Sequence, residues 1–336
     1  MRRATMHDVA SHAGVSLKTV SRVVNAEAGV SPALATKVQA SVLLLGYRHN
    51  LAARNLRRSQ QRTASFAVLV QDLSNSYSAA LLRAVDDVAR LNDTVMISAS
   101  LDEEEERERT LVWDLIKRRV DGLILMPASH DQSYLQHELA AGFAVVTIDR
   151  PPSNLAADSV VVDNLGGARM ATSHLLRHGH RRIAIISDDE RIITAQQRRE
   201  GYRSALEAAG LGVDRALMRS ARTVAGAASA VHELLALSEP PTAIFSARND
   251  VTRGVVVALR QVDAASTIAL VGFDDLPMAD VLQPALTVVE QQAMEVGRRS
   301  AGLLLERLQG SNAPPQRVVL PTYLIERGSG EIAPPA

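Results

Sequence analysis

Acidic, arginine and tyrosine side chains stand just beyond short apolar runs along this sequence. Residues 72–77 follow the run 66–70, and Asp149 and Arg150 follow 145–148. Arg198 lies in the stretch after 183–186, Arg248 and Asn249 follow 243–245, and Asp274 and Asp275 follow 268–271. Any one of these residues reads equally well as a helix cap or a surface turn. The same decoration at five run ends argues for a shared site, and paired donors and acceptors lining one cleft suit a polyhydroxylated or charged small ligand. Arg198 and Arg248 together could grip a carboxylate or phosphate, because the guanidinium fork matches two oxygens at once. His174, His178 and His180 have a spacing that raises the question of a metal. There is neither a Gly-rich phosphate loop ending in Lys-Ser/Thr nor a Gly-x-Ser-x-Gly elbow, and no catalytic constellation emerges.

The elements that must position these residues alternate. Strand-like runs at 66–70, 94–98, 122–126, 145–148, 183–186, 243–245 and 268–271 are separated by helical patterns, among them 79–91, 104–118 and 168–178. Such alternation gives parallel sheets with helices on both faces, and ligands gather at the carboxyl ends of the strands. In the helix over 104–118, Glu103 to Arg107 and Glu105 to Arg109 read as i,i+4 pairs on a solvated face, with Trp113 in the core.

The first sixty residues differ. The chain has 37 Lys/Arg and 37 Asp/Glu overall. Residues 1–62 hold ten basic and two acidic residues, a formal +8, so the rest carries −8. A basic head on an acidic body points to nucleic acid. A helix is expected over 6–13, then a tight turn at Gly14 and Val15, then a second helix capped by Ser16 with Val20, Val23 and Val24 inward. A third begins at Ser31-Pro32, runs through Val38, Val42 and Leu45 and stops at Gly46. Two short helices joined by a Gly-containing turn form a helix-turn-helix. Residues 50–58 can form a short helix capped by Asn50, too short to be stable alone. There are no cysteines, which excludes disulfides and thiolate metal sites and fits a reducing cytoplasm. No signal peptide or membrane span is expected.

The runs Asp8-Val9-Ala10, Ala13-Gly14-Val15-Ser16, Thr19-Val20-Ser21-Arg22-Val23-Val24-Asn25 and Gly46-Tyr47 closely resemble the headpiece of the lactose/galactose repressor family. Val120-Asp121-Gly122, residues 162–164 through 179–181, Val271-Gly272-Phe273-Asp274-Asp275 and Leu286-Thr287 resemble its core. The resemblance implies an α/β protein: an all-α helix-turn-helix headpiece plus a two-lobed periplasmic-binding-protein-like core of parallel sheets flanked by helices. It divides the chain into a headpiece at 1–49, hinge helix and linker at 50–63, a first lobe at 64–161 and 290–320, a second lobe at 162–289, and a C-terminal tail at 321–336.

The resemblance also assigns residues. Leu17, Lys18 and Arg22 are the expected base readers; Lys18 and Arg22 can donate to guanine, and Leu17 can touch a thymine methyl. Ser16, Thr19, Ser21, Ser31, Tyr47 and Asn50 are the expected phosphate contacts. Ala53 and Leu56 mark a hinge that wedges into the minor groove. The effector positions fall on Ser74, Tyr77, Asp149, Arg198, Arg248, Asp274 and Gln291. The histidine run matches a helix-to-strand connection, so neither metal nor cofactor is expected. Arg stands at 248, where family members usually carry a small polar residue, and this extends the expectation to an anionic or phosphorylated effector; the bland reading pairs Arg248 with Asp274 or Asp275. The function implied is a DNA-binding transcription regulator, usually a repressor. It would bind a palindromic operator as a homodimer under allosteric control by a sugar-like effector. The alternative is a cytoplasmic sugar-binding or sugar-processing protein without operator function, in which the +8 head has no role.

Overall fold

The computed structural model describes residues 4–25, 27–47 and 63–335. Two compact units divide at residue 63. In the first, α1 (Met6–Ala13) opens with a capping box: the Thr5 amide donates to the Asp8 carboxylate at 2.8 Å and the Asp8 amide to Thr5 Oγ1 at 3.3 Å. Gly14 then takes a left-handed conformation, φ 63°, and turns the chain into α2 (Leu17–Val24). Ser16 caps α2 by accepting the Thr19 amide at 3.1 Å. α3 (Pro32–Leu44) starts on Pro32, but Ser31 at its cap position makes no side-chain capping bond. Val9, Ala13, Val20 and Val38 form the buried centre, with Val23, Val24, Val42, Leu45 and Tyr47 packed around it.

The second unit is built from two six-stranded sheets. The chain runs β1 (Ser65–Val70), α4 (Ser76–Leu91), β2 (Val95–Ser100), α5 (Glu105–Lys117), β3 (Gly122–Leu125), α6 (Gln136–Ala140), β4 (Ala144–Ile148) and β5 (Asp158–Val162). It continues with α7 (Asn164–Arg177), β6 (Ile183–Ser187), α8 (Ile193–Ala208), β7 (Met218–Ser220), α9 (Val224–Leu235), β8 (Ala243–Ser246), α10 (Asn249–Gln261) and β9 (Ala269–Phe273). Last come β10 (Thr287–Gln291), α11 (Ala293–Leu308), β11 (Arg317–Leu320) and β12 (Thr322–Ile325). The first sheet, ordered β11-β5-β4-β3-β1-β2, is wholly parallel. The second, β12-β10-β9-β8-β6-β7, is parallel apart from β12. Strands buried on both faces are near-continuous Val, Ile, Leu and Ala, as helix-covered parallel sheets require.

The chain crosses between sheets three times: from β5 into α7, from β10 into α11, which packs on the first sheet, and from β11 into β12. The first and third crossings touch, the Asp163 amide donating to the Leu320 carbonyl at 3.0 Å. Residues 321–335 of the stretch 321–336, expected as a tail, belong instead to the second lobe. β12 pairs with β10, Glu331 accepts from His174 at 2.6 Å and from Thr287 at 2.9 Å, and His180 Nε2 meets the Ile332 carbonyl at 2.8 Å. A four-residue edge strand has too little pattern to announce itself in sequence.

The expected face of the helix after β2 also changes. α5 begins at Glu105, so Glu103 lies outside it and is buried against Arg150. Arg107 donates to the Ser100 carbonyl at 2.7 Å, and Arg109 lies over the Tyr134 ring at 5.3 Å rather than pairing with Glu105. Trp113 is half-buried against Tyr134 rather than in the core.

Among the described residues no helix is long and apolar enough to cross a membrane. One close approach sets how near α8 packs to α7. An added Cβ at Gly201 of α8 would sit 2.3 Å from the Leu165 carbonyl of α7. Gly201→Ala therefore forces the helices apart and is expected to cost about 1–3 kcal/mol. Urea unfolding with the midpoint lowered and the slope unchanged would register it.

Candidate functional site

In each parallel sheet the carboxyl ends of the strands lie along one edge, and the polar residues after them converge on one cavity of about 50 Å³. Tyr77, Asp149, Arg198, Arg248, Asp274 and Gln291 all line it. Ser74 does not. Its hydroxyl is held by the Asp72 carboxylate at 2.8 Å, and it lines a separate groove with Asp250 and Val257.

The first lobe supplies Tyr77 and Asp149. Asn75 caps α4 by accepting the Tyr77 amide at 3.0 Å, which fixes the first turn. The Tyr77 hydroxyl is buried and has no partner among the described residues. Burial, with Asp149 and Asp274 nearby, holds this phenol well above its ordinary pKa, against the pull of Arg198. Asp149 takes a left-handed conformation, φ 64°, that turns its side chain at the end of β4. Burial pushes its carboxyl up, opposed by Arg150 and Arg198. Arg150 is fastened behind it, donating to Glu103 and, at 2.7 Å, to the Pro127 carbonyl.

The second lobe supplies the rest. Arg198, buried on α8, donates through Nε to Asn164 Oδ1 at 2.8 Å and through Nη1 to the Ala247 carbonyl at 2.7 Å. Its guanidinium lies over the Phe273 ring, 3.8 Å from the centroid. Arg248 donates to Asp188 and, at 3.3 Å, to Asp250. Asp274 accepts from the Gln291 amide, whose own Oε1 is buried and has no partner among the described residues.

This arrangement corrects the expected arginine clamp. Arg248 is engaged through both Nη atoms by Asp188 and Asp250, and Arg198 through Nε and Nη1 by neutral oxygens, so the two do not present a paired open clamp to an anion. Nor does Arg248 pair with Asp274 or Asp275; its partner is Asp188, while Asp275 is held by Arg327 at 2.7 Å. The cavity lining carries Arg150, Arg198 and Arg248 against Asp149, Asp188 and Asp274, so the charges cancel. What lacks a hydrogen-bond partner among the described residues of this lining is the Tyr77 hydroxyl, the Gln291 amide oxygen and Arg150 Nε, the last 3.5 Å from the Asp149 carboxylate. Asp188 escaped the sequence reading although the Asp188-Asp189 pair after β6 repeats the pattern of the other strand ends. Asn75 escaped too: it exchanges amide hydrogen bonds with Asn249 at 3.0 and 2.9 Å, closing the cleft from lobe to lobe.

The three histidines do not converge on one point. His178 Nδ1 meets the His174 carbonyl at 2.9 Å, and His180 Nδ1 meets Thr242 at 2.9 Å.

In the N-terminal unit, Ser16, Leu17 and Lys18 are exposed at the start of α2. Lys18 and Arg22 stand one turn apart, as do Leu17 and Ser21, so the four share a face. Thr19, Ser21, Arg22 and Tyr47 are partly exposed and Ser31 is exposed. Asn50, Ala53 and Leu56 lie outside the described residues.

The Arg248–Asp188 pair generates a test. Arg248→Asn leaves Asp188 with the Asp189 amide at 2.8 Å and Arg222 at 3.6 Å, and is expected to cost about 1–3 kcal/mol. Adding Asp188→Asn should recover part of that loss in a double-mutant cycle followed by urea unfolding.

Comparison with known proteins agrees with both units. Residues 5–50 match the model of bacterial regulatory proteins of the lacI family, and residues 172–330 match that of the periplasmic binding protein-like domain. The chain is 34% identical to the HTH-type transcriptional regulator GalS of Salmonella typhimurium over 91% of each sequence. The solved structure of the transcriptional regulator CelR–cellobiose complex matches 97% of this chain and 100% of that one, at 31% identity and TM-score 0.72. The lac repressor dimer bound to operator and the anti-inducer ONPF matches 98% of this chain and 99% of that one, at 25% identity and TM-score 0.85. From its headpiece to its two-sheet core, the chain belongs to the lacI family of bacterial regulatory proteins and is a DNA-binding transcription regulator, not an enzyme.

Proposed function

We propose that this protein is a cytoplasmic repressor that binds a palindromic operator as a homodimer and responds to a small neutral sugar. One observation carries the effector half. In a cleft whose ionic charges cancel, the buried Tyr77 hydroxyl and Gln291 oxygen lack partners. Buried polar atoms rarely stay unsatisfied, and a ligand's hydroxyl groups supply both donor and acceptor. Asp149 and Asp274 add carboxylate acceptors on opposite sides. A neutral polyol fits this set; an anion would meet the Asp149 and Asp274 carboxylates, with only Arg198 of the lining arginines held by neutral oxygens instead of by a carboxylate. A dimer fits the exposed apolar residues of both lobes: Leu91 and Val95 in the first, Met278 and Val281 in the second.

In the DNA half, α2 enters the major groove by its N-terminal turn, with Leu17, Lys18 and Arg22 on base edges and Ser16, Thr19, Ser21, Ser31 and Tyr47 toward phosphates. Asn50, Ala53 and Leu56 join them on sequence grounds alone. Closure of the two lobes around the effector shifts the pairing of the hinge, so effector and operator alter each other's affinity equally.

Fluorescence anisotropy against a palindromic operator pool tests the DNA half. Arg22→Ala is expected to lose about 1–3 kcal/mol and to relax preference at one base pair. Binding by the parent protein should fall steeply with salt; salt-insensitive binding would refute the interface. Tyr77→Phe tests the other half. Removing an unsatisfied buried hydroxyl is expected to stabilise the free protein by up to about 1 kcal/mol while weakening sugar binding about tenfold. Unchanged sugar affinity in calorimetry would remove Tyr77 from the site.

A further inference from the structure

Beside the inner cavity lies a larger one of about 420 Å³, and Arg150 and Ile192 line both. The inner cavity alone falls below the size of ordinary ligand pockets, which run from about 300 to 1,000 Å³. The outer one is within that range. It is walled by Pro127, Pro151 and Pro152 of the first lobe and by Ile192 and Ile193 of the second. Ile193 is more than a third exposed there, at the first position of α8.

The wall is apolar and its rim is polar, but the charges are again cancelled. Arg150 is held by Glu103, and Arg191 by Asp189 at 2.7 Å. Arg222 stands 3.6 Å from Asp188. Glu105 also lines the cavity, so its charged residues are three basic and three acidic. Such a wall does not select a phosphate. It suits a ring with an apolar C–H face and a rim of hydroxyl groups. Three of its polar side chains, Ser129, Gln132 and Arg150, are buried. Gln132 donates to the Ser129 carbonyl at 2.6 Å and accepts the Ser153 amide at 2.8 Å, so the loop carrying Ser129 and the loop after Arg150 form one preformed surface. α8 has no side-chain cap at Ile192, which leaves its first-turn amides available where the two cavities meet.

We infer that this outer cavity is a second subsite, and that the effector is a glycoside of at least two units: one ring in the inner cleft and the next against the proline and isoleucine wall. The inference rests on the sugar-effector reading above and names the size of the ligand. Both lobes line the subsite, so a second ring adds contacts that only the closed cleft offers, and the longer ligand favours closure more strongly.

Titration calorimetry on the full chain tests this with matched pairs: glucose with cellobiose and maltose, galactose with lactose. For the pair that binds, the disaccharide should bind at least tenfold more tightly than its monosaccharide. Ile193→Glu should remove that gain and leave the monosaccharide affinity within twofold. The substitution places an acid in the first turn of a helix, where it is tolerated, and thermal melting verifies the fold. Equal affinity within the binding pair, or a gain that survives Ile193→Glu, overturns the second subsite and leaves the inner-cleft reading intact. Failure of every sugar in the panel overturns both.

Discussion

A guanidinium or carboxylate taken out of water costs several kcal/mol unless an opposite charge and hydrogen bonds accompany it. Six such groups meet at the cleft of this protein. Arg198 is held by two oxygen acceptors and an aromatic face, Arg248 by Asp188 and Asp250, and Arg150 by Glu103 and the Pro127 carbonyl. The partners come from strand ends and helix starts far apart in the chain, so the cleft exists only when both sheets are assembled and registered. This charge balance limits what can bind. Arg248 and Arg150 are spent on Asp188 and Glu103, while Arg198 rests on neutral oxygens and an aromatic face.

The same balance gives the two lobes a reason to close. Asn75 and Asn249 exchange amide hydrogen bonds across the gap; Arg150, although burial pulls its pKa down, is held above its ordinary value by Glu103 and, after it, by Asp149 and by Asp188 of the other lobe. The three crossings, two of them touching at Asp163 and Leu320, form the joint about which the lobes can move. A ligand that satisfies Tyr77 on one side and Gln291 on the other binds the closed arrangement better than the open one. That differential affinity is the only means by which it can shift the equilibrium.

The N-terminal unit works on a different principle. Its centre is four buried apolar side chains among the described residues, and local devices do much of the rest: a capping box at Thr5, a left-handed Gly14, a serine cap at Ser16 and a proline start at Pro32. Such devices are worth about 0.5–2 kcal/mol each, which matters greatly in so small a core. They also set the face that α2 presents, because the cap at Ser16 fixes which residues begin the helix.

Local signals were legible in the sequence for a physical reason. Caps, left-handed glycines and hydrophobic periodicity act within a few residues, so helix starts, strand runs and the polar decoration of strand ends can be read from Ser16, Gly14 or the run Ile183-Ala184-Ile185-Ile186 alone. The likeness of those runs to one regulator family extended the reading to the fold class and to the function. What the tertiary structure alone decided was pairing. Arg248 finds Asp188 at a separation of 60 residues and Arg150 finds Glu103 at 47, and no periodicity encodes which opposite charge will be nearest once the strands are stacked. That choice turned an expected anion clamp into a neutral cleft. Likewise Thr322 to Ile325 are strand-prone but too short a run to announce a strand; they become one because β10 leaves an open edge where the chain crosses for the third time. Sequence determined the elements and the chemistry they bear; packing determined which of those groups remain free to meet a ligand.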